Sequence, residues 1–258
     1  MKVPQEAQEA SETPQAWTKL VTGLASSTAA LLDTARAMSD ADAHEPSLLP
    51  GWSRGHVLTH LARNADGMVN LVEWAVTDVR RPMYLSLESR AADIKAGAGR
   101  NASDVAVDLS DSADRLVVAV ERLYAAGPKA LARLVEWGAP RPNGPIVAAR
   151  RIPAVRRREV EVHHVDLGLA YGFDDMAIEA AYEVLDNVTI DRAGIAGLGG
   201  VVNLVAGERS WSLTADPATA GIEVVGTPQH LAAWLMGRSV SGLTTATGEP
   251  APNPVPWN

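Results

Sequence analysis

The chain contains no cysteine among its 258 residues. Disulfide bridges, thiolate metal ligands and a cysteine nucleophile are therefore excluded. Any bound metal ion must be held by histidine and carboxylate side chains. Any thiol chemistry must use a thiol that comes from outside the chain.

Long apolar runs and positive charge are also scarce. No stretch reaches the roughly 18 consecutive apolar residues of a membrane-spanning helix, so we expect no membrane partner. The net charge of -8 argues against a nucleic-acid partner, because phosphate binding needs a basic surface. Residues 1–15 lack the basic start and apolar core of a secretion signal. We interpret them as a disordered lead-in, and we expect a cytoplasmic protein that is a monomer or a weak dimer.

Three segments of the N-terminal half predict long helices. Apolar residues recur at helical spacing in residues 16–43, 53–76 and 102–126, and loops rich in proline and glycine separate these segments. Ser53 has the side chain of an N-cap for the second helix.

The segment around Glu159 allows two interpretations. It alternates between polar and apolar residues, which is typical of a strand, but residues 154–167 contain no glycine or proline and are long for a strand. We predict a fourth helix here. Residues 16–172 then form an antiparallel four-helix bundle.

The composition changes after Gly172. A connecting helix is predicted for residues 177–192, and a short one begins at Thr227-Pro228 and runs to Arg238. The segments predicted as short strands are Val201–Val205, Ser210–Thr214 and Ile222–Val225. Four prolines in residues 248–258 indicate an irregular tail. The predicted fold class is α+β, with the four-helix bundle followed by a small α/β C-terminal domain over residues 173–258.

Four of the six histidines fall into two clusters, His56-x-x-x-His60 and Glu159-x-x-x-His163-His164. Residues four apart on a helix lie on the same face, and two facing helices of a bundle can direct such pairs at one ion. Imidazole and carboxylate ligands suit Zn²⁺ and other first-row divalent metals. The alternative is that both pairs lie on ordinary helix surfaces and bind no metal.

The number of ligands decides what such a site does. Three protein ligands leave an open position, where the metal lowers the pKa of a bound water or thiol. A fourth ligand, for which His56 is the candidate, would close the site and make it structural. The spacing leaves the role of His56 open.

Polar neighbours of the two clusters are further candidates. Asn64, four residues after His60, could contact a ligand from behind, and Asp166 could orient His163. One of the three arginines in residues 156–158, of which Arg158 directly precedes Glu159, could bind a substrate carboxylate. The alternative for at least two of these arginines is a basic, solvated helix face.

Two segments resemble the metal-binding motifs of mycothiol-dependent maleylpyruvate isomerases: Leu49–Ala62 (LPGWSRGHVLTHLA) and Glu159–Gly168 (EVEVHHVDLG). Met83-Tyr84, Gly237–Ser239 and Thr244–Glu249 fit the same family. The resemblance implies a DinB-like four-helix domain, followed by a domain similar to sterol carrier proteins.

The resemblance also implies the roles of individual residues. Zinc would be held by His60, Glu159 and His163, which leaves one position open. His56 matches a family histidine that is not a ligand, and it would either contact a ligand residue or lie near the thiol. Arg238 matches an arginine that family members need for activity. We therefore predict catalytic roles for His56 and Arg238, and cofactor contacts for Asn64 and Arg158.

The implied reaction is the cis–trans isomerisation of maleylpyruvate to fumarylpyruvate in aromatic degradation, with mycothiol as cofactor. A thiolate that adds to the cis double bond leaves a single bond that can turn, and elimination gives the trans isomer. Zinc would stabilise the thiolate, and cations such as Arg238 would hold the substrate carboxylates. His164 departs from the family pattern, which leaves room for a mycothiol S-transferase. A third possibility is a non-catalytic protein, in which the metal only stabilises the bundle or the domain acts as a binding module.

Overall fold

The computed structural model describes residues 13–142, 144–191, 201–214 and 221–253. These residues form two compact units, a helical unit at Lys19–Gly168 and a second unit formed by the described residues before Lys19 and after Gly168. Most of the predicted lead-in (residues 1–12), Arg192 at the end of the predicted connecting helix, and residues 254–258 of the predicted tail lie outside the described residues.

The helical unit contains the four predicted long helices and several shorter elements. In chain order the helices are α1 (Pro14–Ala37), α2 (Asp40–His44), α3 (Arg54–Thr77), α4 (Leu87–Ala98), α5 (Ala102–Ala125), α6 (Pro128–Leu131) and α7 (Ile152–Asp166). β1 (Leu134–Glu136) and β2 (Ile146–Ala148) form an antiparallel hairpin after α6. The sequence analysis missed α4 and this hairpin. It also began the first helix two residues late and continued it to residue 43, whereas the structure ends α1 at Ala37 and begins the separate α2 at Asp40.

The four long helices share one apolar core. Leu31 of α1, Leu61 of α3, Leu109 of α5 and Val160 of α7 are fully buried in it. Helix α3 is central, because it packs against α4, α5 and α7. This position explains why polar residues of α3, such as His60, are also buried.

Helix α3 begins and ends as its sequence specifies. The Ser53 side chain accepts a hydrogen bond from the backbone N–H of His56 and satisfies one of the free donors of the first turn. At the other end, Asp78 adopts a left-handed conformation with φ 64°, which stops the helix.

The helical interpretation of the segment around Glu159 is confirmed, since α7 covers it from Ile152 to Asp166. The alternating pattern misleads because α7 is buried on more than one side. Val160 and Val162 point in different directions from the helix, yet both are buried. A helix surrounded by other elements does not need a single apolar stripe.

The second unit combines helices with a small mixed sheet. Its elements are α8 (Ile178–Asp191), β3 (Val201–Ala206), β4 (Arg209–Thr214), β5 (Ile222–Val225), α9 (Pro228–Leu235) and β6 (Thr244–Thr245). The strand order is β4-β3-β5-β6, and only the β3–β5 pair is parallel. The predicted strands and the Thr227 N-cap are present, although α9 ends before Arg238. The α+β fold class is confirmed.

None of the helices in the described ranges is both long and apolar enough to cross a membrane.

A close approach of α3 to its neighbours gives the first testable prediction. A Cβ added at Gly55 would lie 2.6 Å from the carbonyl oxygen of Ala98 and 3.2 Å from that of Ala43. Because these are backbone atoms, we expect Gly55→Ala to lower the free energy of unfolding by about 1–3 kcal/mol. Urea denaturation measures the change. The control is Gly99→Ala, where a Cβ meets nothing within 4 Å. Equal stability of the two variants would contradict the proposed close packing.

Candidate metal centre

The structure brings His60, Glu159 and His163 together. Glu159 Oε2 lies 3.4 Å from His60 Nε2 and 3.7 Å from His163 Nε2, and the ligand atoms of all three residues lie within 4.8 Å of one another. Two ligand atoms bound about 2.1 Å from a tetrahedral ion are about 3.4 Å apart. The two distances to Glu159 are close to this value, and the His₂Glu donor set suits a zinc-like cation.

The surroundings of His60 and Glu159 give these two residues the protonation states that metal binding requires. Burial lowers the pKa of His60 to about 4, so its ring is neutral at pH 7. Burial alone would raise the pKa of Glu159, but the hydrogen bond from His60 and the nearby His163 and Arg158 side chains lower it below its ordinary value. A neutral imidazole and an ionised carboxylate are the forms that bind metals.

Asp166 fixes the orientation of His163. Its Oδ2 lies 2.8 Å from His163 Nδ1, and the carboxylate is buried. The carboxylate accepts a hydrogen bond from Nδ1–H. The lone pair of the neutral ring is then on Nε2, the atom that faces Glu159. The interaction that the spacing predicted for Asp166 is therefore present.

A buried chain of hydrogen bonds holds Glu159. Arg156 Nη1 donates to the Leu61 carbonyl and to Asn64 Oδ1, both at 2.8 Å. Because Asn64 Oδ1 accepts this bond, its Nδ2 faces Glu159 Oε2, to which it donates at 3.3 Å. Burial lowers the pKa of Arg156 to about 10, so the guanidinium stays charged at pH 7.

The interpretation of residues 156–158 as a solvated basic face is wrong, since all three arginines are buried. Arg157 Nε donates to Ser27 Oγ at 3.0 Å, and Ser27 Oγ donates to Glu161 Oε1 at 2.6 Å. Arg158 lies close enough to Glu159 to lower the pKa of that carboxyl group. Each buried charge is thus matched by a nearby acceptor or carboxylate, as buried charges require.

The remaining histidines of the two clusters point elsewhere. His56 Nδ1 accepts hydrogen bonds from the backbone N–H and the hydroxyl of Ser53, at 3.2 and 2.8 Å. His56 therefore caps α3, and it is not among the three residues whose ligand atoms converge. His164 Nε2 lies 2.8 Å from Thr34 Oγ1 of α1. Adjacent residues of a regular helix point about 100° apart, so His163 and His164 cannot easily bind one ion together.

The predicted contacts with substrate and cofactor stay predictions. Arg238 belongs to the second unit, where its Nη1 donates to the Met236 carbonyl at 2.7 Å. The catalytic roles of Arg238 and His56, and the cofactor contacts of Asn64 and Arg158, are not decided by these positions.

The sequence analysis missed Arg90 at the centre. Arg90 Nη2 lies 3.0 Å from His60 Nδ1, and the guanidinium lies over the Tyr84 ring with its Cζ 5.5 Å from the ring centroid. Burial raises the pKa of Tyr84, which therefore stays neutral. Arg90 lies on α4, between the second and third predicted helices, where the sequence analysis expected only a loop. Only the packing of α4 against α3 reveals the contact.

Metal analysis tests the triad directly. We expect purified wild-type protein to bind about one equivalent of zinc, and His60→Ala and Glu159→Ala to lose most of it, because each removes one of three ligands. His44→Ala is the matched control, since this exposed histidine bonds only the Asp40 carbonyl. Undiminished zinc in both ligand variants would refute the assignment.

The low pKa of His60 predicts a pH-dependent stability for the metal-free protein. The unfolded chain binds the His60 proton near pH 6.5, whereas the folded protein does so only near pH 4. Stability should therefore fall as the pH is lowered through this window, by up to about 3 kcal/mol from this residue. Urea denaturation at each pH should show a smaller fall for His60→Gln and an unchanged one for His44→Gln. Equal slopes for wild type and His60→Gln would contradict the prediction.

Comparisons with known proteins agree with this geometry. The family model for the mycothiol maleylpyruvate isomerase N-terminal domain matches residues 24–168, more than half of the chain. A crystal structure of the mycothiol-dependent maleylpyruvate isomerase superposes with a TM-score of 0.79 at 29% identity, and that of its histidine-to-alanine variant with 0.79 at 28%. Each alignment covers 93% of this chain and 97% of the other. No curated protein matches the sequence. The chain belongs to the mycothiol maleylpyruvate isomerase family.

Proposed function

We propose that this protein is a zinc- and mycothiol-dependent cis–trans isomerase that converts maleylpyruvate to fumarylpyruvate. The observation that carries the proposal is the convergence of His60, Glu159 and His163 in a chain that belongs to this family. The lack of cysteine agrees with a thiol taken from solution.

The three ligands leave room for an external one. Glu159 and His163 keep 16% and 15% of their side-chain surface exposed, so the centre is reachable from solvent. When bound there, a zinc ion would lower the pKa of a coordinated thiol, and mycothiol would supply that thiol for reversible addition to the cis double bond.

The residues around the triad favour an anionic ligand. Asp166 and the Arg156–Asn64 pair fix His163 and Glu159 before any ligand arrives, so little reorganisation is needed. Arg90 and Arg158 add positive charge beside the single carboxylate of the triad. A thiolate or a substrate carboxylate is therefore stabilised here, as the reaction requires.

Incubation of the zinc-loaded protein with maleylpyruvate and mycothiol tests the proposal. We expect fumarylpyruvate, identified by NMR, only when both zinc and thiol are present. His60→Ala should abolish turnover, because it removes a metal ligand, while His44→Ala should not. A stable thiol conjugate without fumarylpyruvate would identify an S-transferase instead. Unchanged maleylpyruvate in the presence of the complete system would refute the proposal.

A further inference from the structure

The two histidines of the triad have different partners on their outer ring nitrogens. His163 Nδ1 faces the Asp166 carboxylate at 2.8 Å, whereas His60 Nδ1 faces Arg90 Nη2 at 3.0 Å. A carboxylate accepts a hydrogen bond, but a guanidinium can only donate one. His60 Nδ1 must therefore be the acceptor, and the proton of the neutral His60 ring must lie on Nε2.

This tautomer suits the site without a metal ion. With its proton on Nε2, His60 can donate towards Glu159 Oε2, 3.4 Å away. Arg90, His60 and Glu159 then form a chain in which each donor faces an acceptor. The same tautomer is wrong for a metal ligand, because the Nε2 lone pair is not available.

Metal binding requires the other tautomer of His60, with the proton on Nδ1. A neutral histidine that binds a metal through Nε2 carries its proton on Nδ1. Nδ1–H of His60 and Nη2–H of Arg90 would then be two donors facing each other at 3.0 Å, and no hydrogen bond can form between them. Arginine does not lose its proton at neutral pH. Loading of the triad therefore separates Arg90 from His60.

Among the residues that the structure describes, Arg90 forms no ion pair with a carboxylate. Its other neighbour is Tyr84, whose ring supports the guanidinium beside the triad. Arg90 is half-buried, so a solvent ligand can reach it. A guanidinium in this position is suited to bidentate binding of a carboxylate.

We infer that Arg90 is the anion-binding residue of the metal-loaded site, where a ligand carboxylate replaces His60 as the partner of its guanidinium. The inference rests on the proposed metal centre and function, and it names carboxylates as the ligand class that Arg90 selects. The inference also predicts that the metal binds before the carboxylate. In the metal-free protein Arg90 is held by His60, so carboxylates bind well only after the metal.

The first test measures carboxylate binding without turnover. The probe is maleate, added to Co²⁺-loaded protein in the absence of thiol and followed by calorimetry and by the visible cobalt spectrum. We expect maleate to bind the loaded wild type at least tenfold more tightly than the metal-free protein. Arg90→Gln should weaken binding to the loaded protein at least tenfold with the cobalt content unchanged, because it removes a charged, bidentate donor. Arg90→Lys should recover part of the loss.

The control is Lys95→Gln, which removes the same charge from an exposed position of the same helix and should bind maleate like wild type. Equal maleate affinity of wild type and Arg90→Gln would overturn the inference, as would loaded wild type that does not bind maleate. Loss of maleate binding in Arg90→Gln, in a protein that makes no fumarylpyruvate, would support the inference while refuting the isomerase proposal.

A second test reads the histidine tautomer. ¹⁵N NMR of the ring nitrogens, with the His60 signals assigned by their loss in His60→Gln, should show the proton on Nε2 in metal-free wild type and on Nδ1 after zinc is added. Metal-free Arg90→Gln should lose the strong preference for Nε2–H, and it should bind zinc severalfold more tightly because the competing contact is gone. A metal-free wild type with its proton on Nδ1 would overturn the inference.

Discussion

The ionised carboxylate of Glu159, largely removed from water inside the helical unit, is the group on which the rest of the site depends. A carboxylate in such a position is costly unless donors and positive charges surround it. His60 and Asn64 approach its Oε2 atom directly, and Arg156 and Arg158 supply charge from the same helix. This requirement explains why two neighbouring arginines of α7, Arg156 and Arg158, are buried beside Glu159.

The same surroundings explain the chemistry that the centre favours. Arg156 and Arg158 lie close to the triad on the same helix as Glu159, and Arg90 contacts His60. A divalent cation adds further positive charge that Glu159 alone does not balance. The centre therefore favours an anion in the open position, which connects the buried arginines of α7 with the thiol and carboxylate ligands of the proposed reaction.

Much of the candidate site could be predicted from local spacing. The four-residue separation in Glu159-x-x-x-His163, and the three-residue separation of His163 and Asp166, already place side chains on one face of a helix. The Ser53 cap of α3 and the Thr227 cap of α9 are likewise set by neighbours in the sequence. The His56-x-x-x-His60 pair shows the limit of such reasoning. Both residues have the right spacing, but His56 is used to cap its own helix.

The sequence by itself determined that metal ligands must be histidine and carboxylate, which residues share a helix face, and where the main helices and strands lie. These features depend on composition and on residues only a few positions apart. The tertiary structure alone decided that Arg90 contacts His60, 30 residues away, and that Arg156 holds Asn64, 92 residues away. It also decided that the arginines of α7 are buried. Such contacts depend on how the helices pack. The sequence alone does not distinguish a charged side chain that faces solvent from one that faces a buried partner.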